Sequence, residues 1–341
     1  MAEEGLRDLI RKISYGSTLD RHEMQAALSL MMSGGATEAQ MGAFLMALRV
    51  RGETVEEITG AAELLRQRMR PVAAQGDAID IVGTGGDSHG TYNVSTCSAF
   101  VAAGAGLKVA KHGNRSVSSK SGASDVLVAL GVKVDLAPAD VERCIVAAGV
   151  GFMWAPLHHP AMKHWAPIRA ELGIRTLFNV LGPICNPAAV KRQIVGVYSR
   201  DLVEPVAHVL KNLGSEHVWV VHGRDGMDEI TTTGPTHVAE LNAGMVRTFD
   251  ITPQDAGLST AQLSDLIGGD AKINAAAIRD VLEGGKGAFR DIVVLNTAAA
   301  TLVGGKTDTL AAGVELAEVS IDSGAAREAL EKLIQHSNTP A

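Results

Sequence analysis

The stretch IDIVGTGGD at residues 79–87 decides the fold that we predict for this chain. It begins with a short run that is apolar except for Asp80, which is typical of a buried strand, and glycines follow the run at once. The polar cluster NVST at residues 93–96 then stands at the start of a helical pattern. A strand, a glycine-rich turn and a helix N-terminus in this order offer N–H groups and the positive end of a helix dipole to an anion. We therefore predict a phosphate site, with a tight turn that needs glycine for its geometry alone as the other interpretation.

Short apolar runs and helical patterns alternate on the carboxyl side of this stretch. The apolar runs lie at 79–82, 107–110, 151–154, 193–198 and 217–221, and the helical patterns at 94–105, 121–130, 138–148 and 201–213. Such alternation predicts an α/β fold with a mainly parallel central sheet that is covered on both faces. Residues 275–336 return to a helical pattern. The glycine spacing matches neither a dinucleotide-binding motif nor a P-loop.

Residues 1–70, on the amino side of the stretch, show helical periodicity only. Three helix starts combine an oxygen-bearing side chain with Glu or Gln three residues later. These pairs are Asp20 with Glu23, Thr37 with Gln40, and Thr54 with Glu57. We expect residues 1–70 to form a small helical domain, joined by about 161–185, and residues 71–160 and 186–341 to form a large α/β domain.

The composition of the 341 residues excludes several classes of protein. Hydrophobic residues make up 46% and charged residues 20%, which provides a large core and excludes global disorder. The net charge of −7 disfavours nucleic-acid binding, because neutralising phosphates needs a basic excess. Three distant cysteines without a CxxC pair exclude a disulfide framework and fit a reducing compartment. With no signal-peptide pattern and no apolar run of about 18 residues, we expect a cytoplasmic protein with neither a nucleic-acid nor a membrane partner.

A region without acidic residues follows the glycine-rich turn. No Asp or Glu occurs between Asp87 and Asp125, although acids make up 38 of the 341 residues. Burial of an Ala- and Gly-rich segment explains their absence from residues 98–107. It does not explain the stretch KHGNRSVSSKS at residues 111–121, which is polar and rich in hydrogen-bond donors. We predict that this stretch is a second phosphate-contacting loop.

The motif DGMDEIT at residues 225–231 places two adjacent carboxylates, Asp228 and Glu229, soon after an apolar run. Adjacent acids in a loop are usually solvated charges. In an α/β fold, however, ligands collect at the carboxyl ends of strands, and Mg²⁺ prefers a few carboxylates together with substrate phosphates and water. A magnesium site and a solvated loop therefore both fit the sequence.

The segment APLHHPAMKHWAPIR at residues 155–169 is rich in histidine and proline. Its histidines match no zinc motif and have no carboxylate ligand nearby, so we do not predict zinc. Trp154 and Trp165 flank the segment and indicate packing in a core or at a domain border. Arg169 beside this apolar wall can pair bidentately with a carboxylate, which suits an aromatic acid. An exposed helix cation that pairs with an acid such as Glu171 is the alternative.

Five motifs in a fixed order identify a family. They are GTGGD at 83–87, NVST at 93–96, KHGNRSVSSKSG at 111–122, HHPAMKHWAPIRAELGIRTLFNVLGPICNPA at 158–188 and DGMDEIT at 225–231. With them the chain resembles the anthranilate phosphoribosyltransferases of tryptophan biosynthesis, up to about residue 336. The resemblance implies a small helical domain and a large α/β domain of the nucleoside-phosphorylase type, a homodimer, and Mg²⁺ as cofactor. It also implies transfer of the phosphoribosyl group from 5-phosphoribosyl 1-diphosphate (PRPP) to the amine of anthranilate, with release of diphosphate.

The resemblance further implies roles for individual residues. The positions that match PRPP contacts are Gly83, Gly86, Asp87, Thr91, Asn93, Val94, Ser95, Thr96, Lys111, His112, Gly113, Asn114, Arg115, Ser116, Val117, Ser118, Ser119 and Ala123. Those that match anthranilate contacts are Gly83, Asn114 and Arg169, and those that match metal ligands are Ser95, Asp228 and Glu229. Where the family more often has serine, this chain has Ala123 followed by Ser124, so a phosphate contact through that hydroxyl is in question. No residue is predicted to be a strong general base, and His112 fits both proton transfer and a role in fixing its loop.

Two other functions fit parts of the pattern. A pyrimidine nucleoside phosphorylase shares the architecture and binds inorganic phosphate, but the KHGNR and HHPAMKH blocks argue against it. A non-catalytic relative that binds nucleic acid predicts a basic surface and an eroded GTGGD motif. This chain has a net charge of −7 and an intact motif.

Overall fold

A seven-stranded sheet forms the centre of the protein, in a computed structural model that describes residues 5–74, 77–85, 89–115 and 121–339. Its strands are β1 (Ile79–Gly83), β2 (Val109–Gly113), β3 (Val150–Trp154), β4 (Arg192–Gly196), β5 (His217–Gly223), β6 (Thr236–Asn242) and β7 (Met245–Ile251). They lie in the order β3-β2-β1-β4-β5-β6-β7. The first five are parallel, and β6 and β7 add an antiparallel hairpin at one edge. The predicted α/β fold with a mainly parallel sheet is confirmed, whereas the hairpin was not predicted.

Four helices precede the sheet, as the periodicity of residues 1–70 predicts. They are α1 (Leu6–Ser14), α2 (Arg21–Met32), α3 (Glu38–Arg51) and α4 (Val55–Arg68). All three predicted capping boxes are present: the side chains of Asp20, Thr37 and Thr54 accept hydrogen bonds from the backbone N–H three residues on. Each box satisfies N–H groups that have no partner within the helix, which explains why α2, α3 and α4 begin where they do.

Helices also connect the strands and complete the carboxyl-terminal part. They are α5 (Val94–Gly104), α6 (Ala123–Leu130), α7 (Pro138–Ala148), α8 (Ala155–His158), α9 (Ala166–Leu172), α10 (Leu177–Ile184), α11 (Val203–Asn212), α12 (Ala271–Leu282), α13 (Ala288–Val303), α14 (Leu310–Asp322) and α15 (Ala325–Asn338). Short 3₁₀ helices lie at Pro160–Trp165, Arg200–Leu202, Pro253–Ala256 and Leu263–Leu266. Within the described ranges, no helix is both long and apolar enough to span a membrane.

Two apolar clusters cover the two faces of the sheet. Successive side chains of a strand point to opposite faces, so Val218 and Val220 of β5 join one cluster while Trp219 and Val221 join the other. The first of these clusters contains the buried faces of α1–α4 and α11, and the second contains those of α5, α7 and α12–α15. Buried side chains of α9 and α10 lie in the same cluster as α1–α4. The division of the chain into two domains at the predicted boundaries stays a prediction.

Because the first five strands are parallel, they all finish at the same end of the sheet, its carboxyl end. The glycine-rich turn follows β1, the polar KHGNR stretch spans the end of β2, and the acidic pair follows β5. The N-terminus of α5 lies at this carboxyl end too, since α5 runs back along the sheet after β1. The fold therefore brings together the motifs that the sequence analysis singled out.

Candidate active site

A cavity of about 700 Å³ lies at the carboxyl end of the parallel strands and is lined by most of the predicted site residues. Its volume suits a ligand of a few hundred daltons. The predicted residues that line it are Gly83, Thr91, Asn93, Ser95, Thr96, Lys111, His112, Gly113, Asn114, Arg115, Ala123, Arg169, Asp228 and Glu229. Val94 does not line it, because its side chain is buried in the core and its N–H donates to Tyr92. Gly86, Asp87, Ser116, Val117, Ser118 and Ser119 lie outside the described residues.

Asp228 is seated on the glycines at the ends of β1 and β4. A Cβ on Gly83 would lie 2.3 Å from Asp228 Oδ2, and a Cβ on Gly196 would lie 1.6 Å from the Asp228 carbonyl oxygen. The same carboxylate accepts a hydrogen bond of 2.6 Å from the N–H of Gly85. Any side chain at positions 83 or 196 would displace Asp228, so close approach of the backbone is what requires glycine there.

Glu229 meets the N-terminus of α5. Its Oε1 accepts a hydrogen bond of 3.3 Å from the N–H of Ser95, at the positive end of the helix dipole. Asn93, the N-cap of this helix, makes no capping bond with its side chain. It instead links two other elements: Asn274 donates to Asn93 Oδ1 at 2.9 Å, and Asn93 donates to the carbonyl oxygen of Ser121 at 3.2 Å.

Ser95, Asp228 and Glu229 all line the cavity, and their oxygen atoms are of the type that binds Mg²⁺. Carboxylate and hydroxyl oxygens are hard ligands, and Mg²⁺ uses one or two carboxylates with substrate phosphates and water rather than a complete protein cage. In the described part of the chain, no group of three or more His, Cys, Asp or Glu side chains could hold a metal ion. The residues present therefore fit a magnesium site that is shared with substrate phosphates and water.

The remaining acid of the DGMDEIT motif has a structural role. Asp225 Oδ2 accepts hydrogen bonds of 2.6 Å from the hydroxyls of Thr231 and Thr233, and Asp225 Oδ1 accepts one of 3.1 Å from the N–H of Met227. These contacts fix the loop that carries the acidic pair. Asp225 does not line the cavity.

Lys111 is a buried cation at the bottom of the cavity. Its Nζ donates to the carbonyl oxygen of Ile81 at 2.6 Å and to Ser95 Oγ at 3.3 Å. Burial lowers the pKa of Lys111, and the negative charges of Asp80 and Glu229 oppose that change. The side chain is thereby placed between the glycine-rich turn and the N-terminus of α5, where an anion would accept its remaining N–H group.

Two neutral histidines line the wall next to Lys111. His112 Nδ1 contacts the carbonyl oxygen of Gly182 at 3.1 Å; since a carbonyl only accepts, Nδ1 carries the proton and Nε2 is an acceptor. The imidazole of His159 lies 5.1 Å away between ring centroids. Burial holds the pKa of His112 well below its usual value and lowers that of His159 to about 4. Among the described residues, neither Nε2 has a hydrogen-bond partner.

Arg169 faces the cavity from α9, at its apolar end. Its guanidinium lies 5.6 Å from the ring centroid of Phe178, and burial lowers its pKa. Trp165 packs against the same ring at 4.6 Å and is fully buried, as expected for a core tryptophan. A cation at the end of an aromatic wall can bind a ring that carries a carboxylate.

The position that departs from the family pattern also lies at the cavity. Ala123 lines it at the N-terminus of α6, while Ser124 is buried and does not line it. The Ser124 hydroxyl has no hydrogen-bond partner among the described residues. The displaced serine therefore does not supply the hydroxyl that Ala123 lacks.

Comparison with known proteins identifies the family. Residues 7–69 match the family described as "Glycosyl transferase family, helical bundle domain", and residues 75–327 match "Glycosyl transferase family, a/b domain". Anthranilate phosphoribosyltransferase of Nitrobacter hamburgensis is 59% identical over 335 residues, covering 98% of this chain and 99% of the relative. The chain belongs to the anthranilate phosphoribosyltransferase family.

Solved structures of the family have the same fold. The enzyme from Thermus thermophilus superposes with a TM-score of 0.92 at 40% identity, over 97% of this chain and 100% of that one. The enzyme from Saccharomyces cerevisiae in complex with PRPP and Mg superposes with a TM-score of 0.89 at 31% identity, over 97% of each chain. The yeast enzyme is also known in complex with 4-fluoroanthranilate. The resemblance in the five motifs is thus confirmed, and with it the activity after which the family is named.

Proposed function

We propose that this chain transfers the phosphoribosyl group of PRPP to the amine of anthranilate and releases diphosphate. One observation supports this function above all. The same cavity is lined by Lys111 with the carboxylates of Asp228 and Glu229, and by Arg169 with Phe178. The first group suits a diphosphate ester with its metal ion, and the second suits an aromatic acid.

The PRPP site is proposed at the ends of β1 and β2 and the N-terminus of α5. The residues assigned to it are those of the sequence analysis, Gly86, Asp87 and residues 116–119 included. Lys111 and the N–H groups of the glycine-rich turn and of α5 supply donors to the diphosphate. These donors face negative charge that increases as the bond between ribose C1 and the diphosphate breaks, so they stabilise the transition state more than the ground state.

Ser95, Asp228 and Glu229 are proposed to hold Mg²⁺. When bound, Mg²⁺ supplies positive charge to the departing diphosphate. The chain's own part is to orient this donor set: Asp228 is held by Gly85, and Asp225 fixes the loop.

The anthranilate site is proposed at Gly83, Asn114 and Arg169. Arg169 pairs with the carboxylate, and Phe178 and Trp165 stabilise the wall behind it. The amine then points toward ribose C1, held in line by the two binding sites. A strong base is not needed, because the aniline nitrogen becomes acidic once it is alkylated. The neutral imidazole of His112 lines the same cavity, and its Nε2 can accept the proton that this nitrogen releases.

We also propose a cytoplasmic homodimer and a division into a helical domain of residues 1–70 with about 161–185 and an α/β domain formed by the rest. Buried side chains of α9 and α10 share an apolar cluster with α1–α4, which supports joining residues 161–185 to the helical part; the same cluster also contains side chains of α11 and β5. Sedimentation analysis of the purified protein tests the dimer. A monomeric mass at micromolar concentration would contradict it.

The function is tested by fluorescence. Anthranilate emission should fall when the purified protein, PRPP and Mg²⁺ are combined, and it should stay constant if any of the three is omitted. The product is then confirmed by mass as N-(5-phosphoribosyl)anthranilate. Phosphorolysis of pyrimidine nucleosides without loss of anthranilate emission would assign the protein to the alternative activity.

A further inference from the structure

The backbone pairing between β1 and β2 is unusually short. In the described chain, the register of these two strands is the single pair Ile79–Val109, whereas β1 pairs with β4 and β2 with β3 through five residues each. The two strands end at Gly83 and Gly113, and both glycines line the cavity. A parallel ladder normally continues with evenly spaced hydrogen bonds, so something else must fix the distance between these two ends.

Side chains take over where the ladder stops. The N–H of His112 in β2 donates to Asp80 Oδ1 of β1 at 3.3 Å. In the opposite direction, Lys111 Nζ of β2 donates to the carbonyl oxygen of Ile81 in β1 at 2.6 Å. Asp80 and Lys111 therefore join the two strands beyond their single backbone pair.

Asn186 holds the Asp80 carboxylate in place. Its Nδ2 donates to Asp80 Oδ2 at 2.7 Å and to the carbonyl oxygen of Ala110 at 2.9 Å, while its Oδ1 accepts from the N–H of Ala188 at 2.8 Å. Asp80 and Asn186 are both completely buried. The pair thus ties β1, β2 and the loop after α10 together behind the cavity.

The charge of Asp80 also matters for its neighbour. Burial raises the pKa of Asp80 to about 6, while Lys111, Asn186 and the N–H of His112 oppose that change. The negative charges of Asp80 and Glu229 in turn raise the pKa of Lys111 against the effect of its burial. Removing the charge of Asp80 leaves the buried charge of Lys111 less compensated, which disturbs the geometry around it.

We infer that Asp80 is a positioning residue for the PRPP site: held by Asn186, its carboxylate fixes the end of β1 relative to the end of β2. It acts through Lys111 and the backbone of His112, since Asp80 does not itself line the cavity. The inference rests on the proposed function and extends it. The glycine-rich turn follows β1 and Asn114 follows β2, so an error in their separation would place the diphosphate donors incorrectly.

The test measures binding directly. Asp80→Asn keeps the size of the side chain, removes its charge, and presents an NH₂ group to Asn186 or to the His112 N–H. We expect the dissociation constant for pyrophosphate with Mg²⁺, measured by calorimetry, to rise about tenfold or more. The KM for PRPP should rise in parallel, and the KM for anthranilate should change by less than about threefold, because Arg169 lies on a different element.

Glu240→Gln is the matched control. Glu240 is a buried carboxylate of the same sheet, three positions from β1 in the strand order. It accepts hydrogen bonds of 3.0 Å from His217 Nε2 and Trp219 Nε1 and one of 2.6 Å from Arg247 Nε. This variant should lose thermal stability but keep the pyrophosphate affinity of the wild type, whereas Asp80→Asn should lose both.

The outcomes separate the alternatives. A folded Asp80→Asn protein with unchanged pyrophosphate affinity overturns the inference, and so does an equal loss of affinity in Glu240→Gln. If Asp80→Asn does not fold, Asn186→Ser decides, because it weakens the same carboxylate from the other side; unchanged affinity there overturns the inference, and a several-fold loss supports it. Failure of the wild type to consume anthranilate would contradict the proposed function instead, and the pyrophosphate measurement does not depend on it.

Discussion

Replacing Gly196 with alanine tests how the proposed metal-binding carboxylates are held. A Cβ at this position would lie 1.6 Å from the carbonyl oxygen of Asp228. An ordinary contact between carbon and oxygen needs about 3.3 Å. Gly196 cannot withdraw, because it ends β4 and pairs with Gly83 of β1 on one side and Val221 of β5 on the other. The segment with Asp228 must therefore move by about 1.7 Å to restore a normal contact.

That displacement has a large expected effect on the reaction. A misplacement of about 1 Å in a positioned group can cost about a hundredfold in rate. We expect kcat of Gly196→Ala to fall by about this factor or more and the Mg²⁺ concentration for half-maximal activity to rise. The crowded contact should also cost about 1–3 kcal/mol of stability. Steady-state kinetics over a range of Mg²⁺ concentrations and a thermal melt measure the two effects.

Gly234→Ala is the control for this experiment. A Cβ on Gly234 meets no atom within 4 Å, although the residue lies only a few positions beyond Glu229. Its kinetics should match those of the wild type. Near-normal kcat and Mg²⁺ dependence in a folded Gly196→Ala protein would refute the argument, because the acidic pair would then not need its seat on β4.

Three other changes probe the rest of the molecule. Asp228→Asn combined with Glu229→Gln removes two charges at nearly constant shape and should lower kcat by about a hundredfold or more; near-normal turnover at limiting Mg²⁺ would exclude the pair from the mechanism. Arg169→Ala should raise the KM for anthranilate about tenfold and leave the KM for PRPP nearly unchanged, and Arg169→Lys should restore part of the loss. Arg175→Ala is the control, because Arg175 does not line the cavity and neither KM should change. A change in the KM for PRPP alone would exclude Arg169 from the anthranilate site. Hydrogen bonds, of which the one from His217 has the largest effect, lower the pKa of Glu240 from 4.5 to about 2. The ionised carboxylate therefore stabilises the folded protein fully above pH 4.5, and this stabilisation is lost as the pH falls toward 2. The difference in unfolding free energy between wild type and Glu240→Gln should therefore narrow over that interval, and a constant difference in denaturant titrations would contradict it.

Local sequence signals predicted most of the fold. The capping boxes and the apolar runs depend on neighbouring residues, so they predict the starts of helices α2–α4 and place strands β1–β5 within a few residues. The hairpin of β6 and β7 was missed. β7 is an edge strand with exposed side chains such as Met245, and β6 buries Glu240 against partners on β5 and β7. The signal in the sequence was Gly244, because the two-residue turn at Ala243 and Gly244 needs positive φ and glycine favours it.

The candidate site was predicted from motifs, and its supporting residues were not. Predicted residues such as Lys111 and Arg169 line the cavity. In the sequence Asp80 is only an exception in an apolar run, because its partner Asn186 lies 106 residues away. The contact of His112 with Gly182 spans 70 residues. Such contacts are decided by how strands and helices pack, and no local pattern in the sequence contains them.

The hydrogen bonds that join the acidic pair to the glycine-rich turn and to α5 have a consequence for ligand discrimination. The N–H groups of Gly85 and Ser95 already donate to Asp228 and Glu229. A diphosphate that uses these donors replaces one anion by another, so its binding is an exchange rather than an addition, and the net gain in hydrogen bonds is small. In the proposed function, the two released carboxylates would hold a divalent cation, and its positive charge would supply the gain. A phosphate or sulfate without such a cation would leave both carboxylates uncompensated, so the acidic pair would disfavour it.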